Sequence, residues 1–166
     1  MSDGAQDPAG HGWPDASGRL DGNLHRLAIR VYYEDTDFSG VVYHANYLKF
    51  AERSRSDFLR LIGVHHTDLF DGDDPLAFAI HRMEMDFVKP ARIDDLLEVR
   101  TRYVKASGAR IEATQEIVCL VSAGGAMPEG EVLWRAQVYA ACIDQAGRPR
   151  RLPAAVREAM APLVAS

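Results

Sequence analysis

From His25 to Tyr33 the chain alternates. Leu27, Ile29, Val31 and Tyr33 share one side, and Arg26, Ala28, Arg30 and Tyr32 the other, which predicts a half-buried strand. The period then lengthens. Over Ala45 to Ile62, polar Lys49, Glu52, Arg53, Ser56 and Arg60 recur at helical spacing. Tyr47, Leu48, Phe50, Ala51, Phe58, Leu61 and Ile62 form a wide apolar face. No proline interrupts this helix, and Gly63 supplies a stop. Residues 64–76 lose periodicity and read as a loop. Four further strands follow, over 77–88, about 97–103, 109–121 and 132–143, the third and fourth joined by a glycine-rich loop from Ser122 to Gly130. A short helix begins near Pro153 and buries Val156 and Met160.

The order is strand, long helix, four strands, short helix. Short links between the last strands predict an antiparallel meander. The long helix must bury its apolar stripe, and the apolar side of the sheet is the surface available. The expected fold is therefore α+β: an antiparallel sheet of about five strands wrapped around one central helix. Residues 1–23 are rich in Gly, Asp, Ala, Pro and Ser, lack periodicity, and are expected to be a flexible tail. Residues 24–166 form the single expected domain.

Composition narrows the picture only a little. The chain has 166 residues, 47% hydrophobic, and a net charge of -5, which argues against a general nucleic-acid binder. Cys119 and Cys142 sit in apolar strand patterns and read as buried, reduced thiols. No signal peptide and no apolar run of membrane-spanning length is visible, so a cytoplasmic location is expected. His65 and His66, near Asp71, Asp73 and Asp74, match no metal-ligand spacing, and no metal is expected.

The candidate chemistry lies in the segment between first strand and long helix, Tyr32 to Tyr47. Asp37 and His44 flank Gly40, which permits a turn that folds acid and imidazole toward one pocket. His44 stands at the helix start, where free amides and the helix dipole suit a developing oxyanion. A carboxylate beside such a site can attack a carbonyl or activate water. Asp-Thr-Asp after a strand is also an ordinary turn, and His44 and Asn46 could serve only as helix caps. Spacing alone leaves both readings open.

The run Tyr33-Glu34-Asp35-Thr36-Asp37-Phe38-Ser39-Gly40-Val41-Val42-Tyr43-His44-Ala45-Asn46-Tyr47, continuing to Arg55, resembles the hot-dog-fold acyl-CoA thioesterases of the 4-hydroxybenzoyl-CoA thioesterase type. It is most similar to the branch encoded beside the Tol-Pal cell-envelope genes. The block from Phe87 to Val99, with Lys89-Pro90-Ala91-Arg92, is similar to that family's strand-turn-strand segment.

The resemblance implies a hot-dog domain that pairs its sheets as a homodimer or homotetramer. It implies hydrolysis of acyl-CoA, with acyl-carrier protein as a further candidate partner and no cofactor. By position, Asp37 takes the catalytic carboxylate's place, as nucleophile or general base. His44 takes that of the loop histidine and oxyanion amide, supported by Gly40, Tyr43 and Asn46. Lys89 and Arg92 are candidates for the phosphates of coenzyme A. Phe38-Ser39 departs from the family's usual small residues and leaves the acyl group open. A hot-dog hydratase or dehydratase, or a non-catalytic binder of acyl-CoA or acyl-carrier protein, are the alternative functions.

Overall fold

The computed structural model describes residues 16–164. Six strands form one antiparallel sheet in the order β1-β2-β4-β5-β6-β3. They are β1 Arg19–Asp21, β2 Leu24–Arg30, β3 Leu76–Phe87, β4 Leu96–Ser107, β5 Arg110–Val121 and β6 Val132–Asp144. The helices are α1 His44–Leu61, α2 His66–Phe70 and α3 Ala154–Met160. The expected hot-dog architecture is present, with one strand more than the pattern predicts.

That extra strand, β1, lies in the stretch assigned to the tail, so residues 16–23 correct its boundary. It forms a hairpin with β2 through Arg19↔Arg26 and Asp21↔Leu24. Three residues carry no alternation, which is why the pattern missed it. The remainder of the expected tail, with His11 and Trp13, lies outside the described residues. The second correction is α2, a short helix in the expected loop. Five residues are too few to display a helical period.

Helix α1 holds 18 residues without Gly, Pro or a β-branched side chain, a composition that favours continuous helix. At its end Gly63 adopts φ +80°. Its N–H donates to Arg60 O and that of Val64 to Leu59 O, the paired bonds of a Schellman stop. Val64 then packs with Leu59 in the same apolar cluster.

The helix buries a stripe of Tyr47, Phe50, Ala51, Ser54, Asp57 and Phe58. Its first half joins a core with Leu97, Ile117, Cys119, Leu133 and Trp134. Its second half joins another with Tyr103, Ile111, Cys142, Leu152 and Met160. Both cysteines are free and buried, as read from their strand patterns.

Polar side chains run between these cores. His25 is fully buried, with Nε2 2.8 Å from Asp57 Oδ2 and Nδ1 3.0 Å from Ser54 Oγ. Ser54 meets Thr101 Oγ1 at 2.9 Å, and Gln115 Nε2 donates to Thr101 Oγ1 and to Ala51 O. One proton arrangement satisfies the whole chain: Gln115 to Thr101, Thr101 to Ser54, Ser54 to His25, His25 to Asp57. Burial lowers the pKa of His25 against the opposing pull of Asp57, so its imidazole is neutral at pH 7.

Strand β3 departs from the alternation of a regular strand. A bulge between Ile80 and Arg82 shifts the register against β6. Leu76 and Phe78 before it, and Met83 and Met85 after it, thus all pack on core clusters.

Candidate active site

Strand β2 ends at Arg30, and Val31 continues the chain inward, its N–H donating to Asp95 O at 3.0 Å. A 3₁₀ turn, Tyr33–Asp35, follows. Asp35 is buried and structural: its Oδ2 accepts from Tyr32 N–H at 2.9 Å, and its carbonyl accepts from Tyr43 N–H and Asn46 Nδ2. Asn46 therefore ties the start of α1 to the loop.

Beyond Thr36 the loop doubles back. Asp37 N–H donates to Val41 O and Gly40 N–H to Asp37 O, with Gly40 at φ +77°. A left-handed residue is needed here, and glycine takes it without steric penalty. Val41 bridges Arg92, while Val42 N–H donates to Ala91 O at 2.8 Å. The loop is thus fastened to the β3–β4 connection. Asp95 fixes that connection in turn, accepting from Arg92 N–H and Ala123 N–H.

Asp37 is exposed. Its Oδ1 accepts from Ser39 N–H at 2.8 Å and Ser39 Oγ–H at 2.5 Å. The Ser39 bonds, chiefly that of the hydroxyl, lower its pKa, and the nearby His44 imidazole adds a smaller effect in the same direction. His44 opens α1, so its amide and that of Ala45 have no intrahelical carbonyl to meet. The His44 ring lies 4.4 Å from Tyr43 and edge-on to Phe87 at 6.3 Å, centroid to centroid.

A cavity of about 240 Å³ adjoins His44, walled by Val42, Tyr47, Phe87, Val88, Lys89 and Pro90. Tyr47 hydroxyl accepts from Ala91 N–H at 2.9 Å, anchoring the apolar wall. The structure thus gathers Asp37, Gly40, Tyr43, His44 and Asn46 at one loop–helix corner, with Lys89 beside it. Lys89 forms an ion pair with Glu131. Arg92 is exposed, and its backbone N–H is held by Asp95. Sequence reasoning missed Asp95, Tyr47 and the grip of Ser39 on Asp37. The last had a visible signal, since Asp-x-Ser is the spacing of an Asx turn.

This arrangement sets an ionised carboxylate and open helix amides on either side of a glycine turn, and His44 lines an apolar cavity without a carboxylate in its walls. Such a site can hold a carbonyl oxygen and deliver a nucleophile or base to its carbon.

Known proteins resemble this chain in sequence and in fold. Residues 39–122 match the thioesterase superfamily model. The acyl-CoA thioester hydrolase YbgC of Escherichia coli is 37% identical over 134 residues, covering 80% of this chain and 92% of the relative. The acyl-CoA thioesterase YbgC of Haemophilus influenzae is 38% identical over 122 residues, covering 74% and 82%. Among solved structures, a probable thioesterase from Bartonella henselae superposes with a TM-score of 0.70 at 44% identity, covering 78% of this chain and 99% of that one.

Proposed function

The chain belongs to the thioesterase superfamily, and we propose that it hydrolyses acyl-CoA to a free acid and coenzyme A, with Asp37 and the His44 end of α1 as the reacting corner. One observation carries this reading: the Asp37 carboxylate and the open amides of α1 flank the Gly40 turn, and His44 lines an apolar cavity.

The thioester oxygen sits at the His44 amide, where the helix dipole favours the charge that develops on it. Asp37 then works by one of two routes. As nucleophile it attacks the carbonyl carbon, the C–S bond breaks, coenzyme A leaves as thiolate, and water hydrolyses the resulting anhydride. As general base it takes a proton from water, whose oxygen attacks the carbonyl carbon directly; the C–S bond then breaks and coenzyme A leaves as thiolate. The His44 ring packs between Tyr43 and Phe87 and fixes the approach. Tyr47 and Phe87 supply apolar wall for the acyl group.

Asp37→Asn is expected to remove thiol release by at least about a hundredfold, the lower range for general-base loss, while acyl-CoA binding persists. A panel of acyl-CoA chain lengths with free-thiol detection reads this. Turnover at the wild-type rate in that variant would sink the assignment. Single turnover in ¹⁸O-water, with label recovered in Asp37, separates nucleophile from base.

The open edge of β3 supports assembly with a second copy. Among the described residues this strand pairs only with β6, and Ile80, Phe87 and Val88 along and beside it are exposed. Twelve residues of unpaired edge are a template for another chain.

A further inference from the structure

A groove of about 390 Å³ runs between β2 and α1, on the far side of β2 from β4. Its size is that of a small-molecule site. Arg30 from the strand and Arg53 and Arg60 from the helix line it, together with Tyr32, the residue before the 3₁₀ turn that leads to Asp37.

The charges do not cancel. The one carboxylate in the lining, Asp57, is 2% exposed. It is held by Gly18 N–H, His25 Nε2 and Arg60 at 2.8 Å each. Burial opposes its ionisation, but these bonds outweigh it and keep its pKa low. The neutral His25 adds no charge. Arg60 balances Asp57, which leaves two cationic groups. Arg53 has no carboxylate partner among the described residues, and its guanidinium carbon lies 5.8 Å from the Phe50 ring centroid. Arg30 donates to a backbone carbonyl, Asp94 O, at 2.8 Å and likewise meets no carboxylate. In a chain of net charge -5, this is a local reversal of sign.

Two further features define the chemistry. Strand β1 covers β2 only at Leu24 to Arg26, so the outer edge from Leu27 to Arg30, part of the groove lining, has no strand partner among the described residues. Tyr32 presents a ring that is 63% exposed. Free guanidinium groups suit phosphate oxygens, and an exposed aromatic face suits a purine. Arg53 lies nine residues beyond His44 on α1, a rise of about 13.5 Å. A long flexible arm can bridge that gap.

We propose that this groove binds the phosphorylated nucleotide end of coenzyme A, with Arg30 and Arg53 on phosphate and Tyr32 against the base. This rests on the acyl-CoA reading of the Asp37 corner and names where the substrate's other end goes. It places the phosphates away from Lys89, whose ammonium already meets Glu131.

The test has an arm independent of catalysis. Calorimetry with adenosine 3′,5′-bisphosphate is expected to show binding that weakens about tenfold in Arg53→Gln, the loss of one charged contact, and again as salt rises. Arg135→Gln, on β6 and separated from β2 by two strands, serves as a control and leaves it unchanged. In turnover, the ratio of kcat/KM for acyl-CoA to that for the matching acyl-N-acetylcysteamine, which lacks the nucleotide, falls about tenfold in Arg53→Gln. No binding of the bisphosphate, equal loss for both thioesters, or loss confined to Arg92→Gln each overturns the groove assignment. Failure of wild type to hydrolyse any thioester instead removes the catalytic reading, and calorimetry still decides the groove.

Discussion

Ser39 donates twice to one oxygen of Asp37, and both bonds favour the ionised acid. A carboxylate that must be ionised to act stays active to lower pH when its pKa is depressed. Replacing Ser39 by Ala removes the hydroxyl bond and leaves the amide. The acid limb of the kcat/KM pH profile is therefore expected to move to higher pH, with the plateau altered less than the limb. An unmoved limb would show that Ser39 does not tune Asp37. Gly40→Ala tests the turn itself. At φ +77° an L side chain costs about 1–2 kcal/mol. Space around the site is open, so the expected result is a folded enzyme with a displaced Asp37 and reduced kcat. A thermal melt paired with turnover separates the two effects.

The helix and strands were largely legible from periodicity, and the exceptions have physical causes. The span of α1 was visible because apolar and polar residues recur over five turns. Ser54 and Asp57 broke the reading of its buried stripe, since polar residues on a core face look like surface until their partners are known. Those partners, His25, Thr101 and Gln115, come from three strands, and no local pattern announces them. The His81 bulge was equally silent, because one inserted residue changes phase without changing composition. The loop was legible for a different reason: its motif is long, and glycine, acid and histidine have narrow local uses.

The polar belt yields two expectations. His25 has a pKa below 6.5 in the folded chain, so the unfolded chain takes up its proton first. The stability it contributes is complete above pH 6.5 and is lost as pH falls through the folded value. Asp57, also depressed, acts in the same direction at lower pH. Tm is expected to decline between pH 7 and 5, and His25→Gln to flatten that decline. Asp57→Ala leaves His25 Nε2 and Gly18 N–H without their acceptor and frees the half-exposed Arg60. A destabilisation of about 1–3 kcal/mol is expected in urea titration.

At the scale of the molecule, the two edges of the sheet differ. Beyond β2 lies the short β1 hairpin; beyond β3 lies nothing among the described residues. Pairing of two β3 edges would extend the sheet across two copies and bring two Asp37 loops into one assembly. Light scattering is expected to give a mass of at least twice that of the chain. Ile80→Lys, placing charge on the exposed edge, is expected to shift the protein toward monomer and lower turnover with it. A monomeric wild type would refute the edge-pairing assembly.

The same strand order shapes how the protein is made. During synthesis β3 emerges before β4 and β5, yet pairs with neither. Its only partner among the described residues, β6, is the last of the described strands to leave the ribosome. Until then a twelve-residue segment carrying Phe78, Met83 and Met85 has both edges bare. Sheets closed by so distant a contact fold slowly, because the connecting chain must be ordered first. A nascent chain halted before Val132 is therefore the aggregation-prone form, and the stage at which a chaperone has most to hold.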